Sequence, residues 1–165
     1  MTIRYEFVAL YNACLKNATE LLAEANILFG RENYARAYAL AFTALEEISK
    51  SQLAADVFTG FITDKEFREC FRNHPKKIER VAWATEEAKH YLAMPEEVYI
   101  EVHDVTFASR QSALFVGFEN GKITSPSGVI GREDARSIIH TTETAIHQII
   151  EAVFLGHEIG TKGFM

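Results

Sequence analysis

Three long stretches of the chain repeat apolar residues at helical spacing, with glycine and proline marking the breaks between them. From Tyr5 to Phe29, the positions Phe7, Leu10, Tyr11, Cys14, Ala18, Leu21, Leu22 and Ala25 share one face. From Glu32 to Phe58 a second stripe runs through Tyr34, Ala37, Tyr38, Ala41, Leu45, Ile48 and Gln52, its small alanines suited to close helix approach. The last stripe, from Arg132 to Leu155, turns Ile138, Ile139, Thr142, Ile146, Ile149 and Val153 inward. This 3.6-residue periodicity predicts amphipathic helices. Between the second and last lie shorter pieces. A helix over Asp64–Phe71 takes Thr63 as its cap, and Pro75 opens another to about Tyr91. A third starts at Pro95 and runs to about Arg110. The segment "ALFVGFENGKIT" changes character, because β-favouring residues flank Asn120-Gly121, a strong short hairpin signal. The pattern predicts an all-α fold: one helical bundle, spanning residues 1–165 as a single domain, with a small β-hairpin or irregular insertion before the last long helix.

Composition narrows the class. A chain of 165 residues with 48% hydrophobic content is long enough for one sizeable core. Its net charge of -6 argues against a general nucleic-acid coating protein, which needs a broad basic face. The sign hides a local exception, since residues 68–80 carry five Lys or Arg against two Glu. Cys14 and Cys70 have no metal-ligand spacing and suit a reduced, cytoplasmic protein. No secretory leader and no membrane span is expected.

The second helix carries the polar residues of interest. Arg36, Thr43, Glu46, Glu47 and Lys50 fall opposite its main stripe, and Glu46 and Lys50 are four apart, the spacing of a helix-stabilising pair. On spacing alone this is a solvated face. Leu40, Phe42 and Leu53 flank it, however, and a helix apolar around most of its circumference is central, so its glutamates must be paired. A cleft against the basic segment beginning at Arg68 would supply those partners. The same surplus of apolar surface predicts a homodimer.

Other chemistries fall away. A carboxylate-bridged di-metal site needs Glu-x-x-His twice, and only Glu87 and His90 have that spacing. His140, Glu143, His147 and Glu151 align on the last helix but oppose its isoleucine face, which makes them a solvated surface. Phosphate-binding, dinucleotide and nucleophile-elbow loops are missing from the sequence. Neither a metal nor a cofactor is expected.

Three blocks in order, "YARAYALAFTALEEISKSQL", "FRNHPKKI" and "RQSALFVGF", resemble the AbiV group of abortive-infection proteins, a branch of the HEPN superfamily. The resemblance covers roughly residues 8–118. Ser49 stands where the group has a glycine, and Phe115 stands where its third block has a tyrosine. The resemblance implies a helical bundle that dimerises and commonly acts as a metal-independent ribonuclease of antiphage defence. The superfamily hallmark, Arg followed by four to six residues and His, is met by Arg68 and His74. By position "RQSALFV" is the better equivalent, with Phe115 where a histidine would be wanted. Either the histidine has moved to position 74 or the usual site is lost. The implied chemistry assigns His74, Arg68, Glu47 and Lys50 to catalysis, with Lys77, Arg72, Arg110 and Glu46 around the RNA phosphates. RNA and a phage or partner-protein regulator are the implied partners. A non-catalytic dimerisation or partner-binding module is the alternative, and nucleotide binding without cleavage a third.

Overall fold

A computed structural model describes residues 5–77, 80 and 107–154. Helix α1 spans Tyr5–Gly30 and α2 spans Tyr34–Thr59. Between them the backbone N–H groups of Arg31 and Asn33 return to the Leu28 carbonyl, and Glu32 takes a left-handed φ of 61°. Those bonds satisfy carbonyls that the end of α1 would leave open. The result is an antiparallel hairpin of two long helices.

Helix α2 is the axis of the fold. Ala37, Ala41, Ala44, Leu45 and Ile48 have no exposed surface, and burial continues around the circumference to Phe42, Leu53 and Val57. Neighbours cover it from several sides: α1, the long helix α6 (Arg132–Phe154) and the short α4 (Phe107–Leu114). Of the three residues outside the main stripe, Phe42 and Leu53 are covered by the same chain and Leu40 is half-buried. Gly60 ends α2 in the left-handed region at φ 77°, its N–H pointing back to the carbonyls of Asp56 and Val57. Any residue with a Cβ is strained at that angle.

Helix α3 (Asp64–Arg72) begins in a reciprocal cap. The Thr63 hydroxyl accepts from the Glu66 N–H, and the Glu66 carboxylate accepts from the Thr63 N–H at 2.8 Å. Phe67 anchors the helix edge-on to Phe7 of α1, with ring centroids 5.2 Å apart. A new helical turn follows over residues 74–77. Asn73 caps it, its side-chain oxygen accepting from Lys76 N–H, and Pro75 occupies the first turn, where a missing N–H costs nothing. The expected continuation to Tyr91, the helix start at Pro95, and Glu87 and His90 lie outside the described residues.

The helix expected to stop near Arg110 continues to Leu114. Beyond it β1 (Gly117–Glu119) and β2 (Lys122–Thr124) pair antiparallel, Phe118 opposite Ile123. Asn120 and Gly121 both have positive φ, 52° and 76°, as a two-residue hairpin turn demands. A single turn, α5 (Pro126–Val129), leads into α6. Ile138, Ile139, Thr142, Ile146 and Ile149 of α6 are buried as their spacing predicts, and the Thr142 hydroxyl lies 3.2 Å from the Ala41 carbonyl of α2. Val153 is not described at side-chain level. His140, Glu143 and His147 are exposed, and no cluster of three or more His, Cys, Asp or Glu suited to a metal occurs among the described residues. Among those residues no helix is long and apolar enough to cross a membrane.

Candidate active site

Arg36 at the start of the polar strip of α2 is exposed, but from Thr43 to Lys50 the strip is not a solvated face. Glu46 is buried, 3% exposed, because the turn at 74–77 lies across it. His74 and Lys77 are three apart on that turn, which puts both side chains on one face. Both reach the same carboxylate oxygen: His74 Nδ1 contacts Glu46 Oε1, and Lys77 Nζ stands 3.5 Å from it. A carboxylate accepts from Nδ1–H, and in the neutral ring that tautomer leaves the lone pair on Nε2. The His74 side chain keeps 39% of its surface open, so one edge of the ring is in solvent while the other is pinned.

Lys50 does not pair with Glu46 as the four-residue spacing suggests. It bridges to Glu47 one turn back, and its ammonium lies 5.3 Å from the Phe71 ring centroid of α3. Glu47 also accepts the thiol of Cys14 on α1. Burial, reinforced by the charge of Glu47, pushes that thiol up to about 12. Lys77 is shifted the other way: burial lowers its pKa, and the Glu46 carboxylate opposes that shift.

The remaining wall comes from α4. Phe107 stacks on the His74 imidazole, centroids 4.7 Å apart and planes 21° from parallel. One turn along, the Arg110 guanidinium lies 5.8 Å from the Phe107 centroid and 6.0 Å from that of Phe42. Its Nε is buried with no hydrogen-bond partner among the described residues. Below the cluster, Asp56 of α2 receives two bonds from Arg80, 2.6 Å from Nε and 2.7 Å from Nη2. This fork fixes the segment that bears His74 to the lower half of α2.

The structure therefore brings together His74, Glu46 and Lys77, with Glu47 and Lys50 on the same stretch of α2 and Arg110 beside the histidine's stacking partner. It does not bring in Arg68 or Arg72, both exposed on α3. Lys77 is buried on a carboxylate, a different station from the phosphate-holding one expected of it. Phe115, at the place where the late block would want a histidine, is 62% exposed. Two further residues, Phe107 and Asp56, belong to the site. Phe107 carried no sequence signal of its role. Asp56 did: an aspartate inside the buried run "LAADVF" must have a cationic partner.

The described residues thus form a helical bundle on a central polar-striped helix, with His74 and Lys77 meeting on its buried Glu46. The family model described as AbiV matches residues 6–147, most of the chain, and the protein belongs to the AbiV family of HEPN abortive-infection proteins. No curated protein and no solved structure matches it.

Proposed function

We propose that the protein is a metal-independent endoribonuclease of prokaryotic antiphage defence, with His74 as its proton-transferring group. The observation that carries this reading is the histidine itself, pinned through Nδ1 to buried Glu46, stacked on Phe107 and open at Nε2. Such a ring is held in one tautomer and one orientation, as a general base must be. In the reaction an RNA 2′-oxygen forms a bond to the adjacent phosphorus and the bond from phosphorus to the 5′-oxygen breaks. His74 takes the 2′-hydroxyl proton, and as imidazolium returns a proton to the leaving 5′-oxygen.

Arg110 is the arginine best stationed for the charge that builds on phosphorus. It stands one turn from Phe107, carries a buried Nε with no described partner, and its planar fork matches two phosphate oxygens. The histidine of the second block and the arginine of the third then form one composite site, and Arg68 serves at most at its rim. Lys50 and Glu47 set the local charge beside it. His74→Ala is expected to abolish cleavage of purified RNA with helical content unchanged, and Arg110→Lys to reduce it by at least about tenfold. Arg68→Lys should leave most activity. A His74→Ala protein that cleaves as well as the parent overturns the proposal.

A second reading, a non-catalytic module that dimerises or binds a regulator, rests on another observation. Phe115, Val116, Phe118 and Ile123 at and before the hairpin are each more than 60% exposed. An apolar patch of that kind marks a protein-binding face. The two readings are compatible, since the patch and His74 occupy different parts of the chain.

A further inference from the structure

Lys77 is the one residue at the site whose burial has no evident purpose. An ammonium enclosed to 4% exposure is costly unless paired, and its partner is already engaged. The carboxylate oxygen that Lys77 approaches, Glu46 Oε1, is the oxygen that meets His74 Nδ1. Two nitrogen donors, one of them an ammonium, therefore share one carboxylate oxygen. The negative charge of Glu46 is what would stabilise the imidazolium form of His74; an ammonium close to the same oxygen offsets part of that effect.

We infer that Lys77 is a positioning residue that biases the protonation of His74 by holding part of the charge of Glu46, so that the imidazole gives up its proton more readily than it would facing Glu46 alone. The inference deepens, and rests on, the reading of His74 as the proton-transferring group. The other charged groups around the ring leave this division in place. On α2, Glu47 is matched by Lys50; on α4, Arg110 adds a further positive charge; on α3, Arg68 and Arg72 are exposed. Cys14 of α1 faces Glu47 and is uncharged at neutral pH. Among the described residues Glu46 is thus the anion His74 touches, and Lys77 the cation it shares that anion with. If Lys77 is neutralised, Glu46 belongs to His74 alone and the imidazolium is favoured. The base would then work only at higher pH.

The test is a proton NMR titration of His74 in the parent and in variants, its resonance assigned among the six histidines by its loss in His74→Ala. No RNA is present, so the result stands apart from whether the protein cleaves. Lys77→Met should raise the His74 pKa by about one unit or more, the scale of losing a unit charge at this range. Lys77→Arg should restore it to near the parent value. Lys77→Gln, which is smaller and polar, repeats the neutralising arm if the methionine variant does not fold. Glu46→Gln must move the pKa down in either case. A folded Lys77→Met or Lys77→Gln protein whose His74 titrates within about 0.3 units of the parent overturns the inference, as does a Glu46→Gln protein with unchanged His74.

Discussion

Cutting the fork between Asp56 and Arg80 should destabilise the protein more than any other single change at the site. Asp56 is 1% exposed and the Arg80 side chain keeps 10% of its surface, so the pair is held out of water. The two bonds, at 2.6 and 2.7 Å, are charge-assisted and parallel. Bonds of this kind contribute about 1.5–3 kcal/mol each, and removing one member of a buried pair costs about 3–5 kcal/mol in all. We therefore expect Asp56→Ala to lose about 3 kcal/mol. With a urea dependence of about 2 kcal/mol per molar for a chain of this size, the unfolding midpoint should fall by roughly 1.5 M. The backbone carbonyl of Asp56, which accepts from Phe61 at 2.8 Å, is untouched by the substitution, so the loss belongs to the side chain. Replacing both members, Asp56→Leu with Arg80→Met, should recover most of it, because an apolar pair leaves no stranded charge. A midpoint for Asp56→Ala within about 0.3 M of the parent would refute this reasoning and loosen the clamp on the His74 segment.

Three further outcomes follow from the same geometry. Lys50→Met leaves Glu47 without its cation beside buried Cys14 and should cost more than about 1 kcal/mol by denaturant midpoint, whereas a solvated pair would cost under about 0.5 kcal/mol. Thr63→Ala removes the α3 cap at about 1 kcal/mol. Its bonds to Thr63, first from the backbone N–H and then from the hydroxyl, lower the Glu66 pKa, so this stabilisation is present above the ordinary glutamate range and lost as pH falls through the depressed value; Thr63→Ala keeps the N–H bond and should shrink that part of the acid slope without abolishing it in a pH series of melting curves. With its thiol pushed up to about 12, Cys14 is almost wholly protonated at pH 8, so iodoacetamide should label Cys70 first and reach Cys14 only on unfolding, as peptide mapping would show.

The long helices and their ends were legible because each signal is local. Gly60 in the left-handed region, the Thr63–Glu66 cap and the Asn120-Gly121 turn are short-range devices written in neighbouring residues. The family blocks led to the region of the site in the same way. The pairings within it were harder. Spacing on one helix joined Lys50 to Glu46, and only the placement of the turn at 74–77 across α2 reveals that Glu46 is claimed by His74 and Lys77. Phe107 meets His74 across a long sequence separation, and no periodicity encodes a contact of that kind. The direction of Lys77 was readable in principle, since a residue three after His74 shares its face. Phe42 and Leu53 lie outside the main stripe of α2 for a related reason: α2 is central and is covered on those sides within the same chain, while Leu40 stays half-buried.

The most direct test of the functional account is the chemistry of the product ends. Purified protein is incubated with a defined single-stranded RNA in excess EDTA, and the fragments are analysed by mass spectrometry. Attack by the 2′-hydroxyl with His74 as base predicts cleavage that persists in EDTA and leaves 2′,3′-cyclic phosphate and 5′-hydroxyl termini, lost in His74→Ala. Intact RNA, cleavage abolished by EDTA, or fragments ending in 3′-hydroxyl and 5′-phosphate would contradict it.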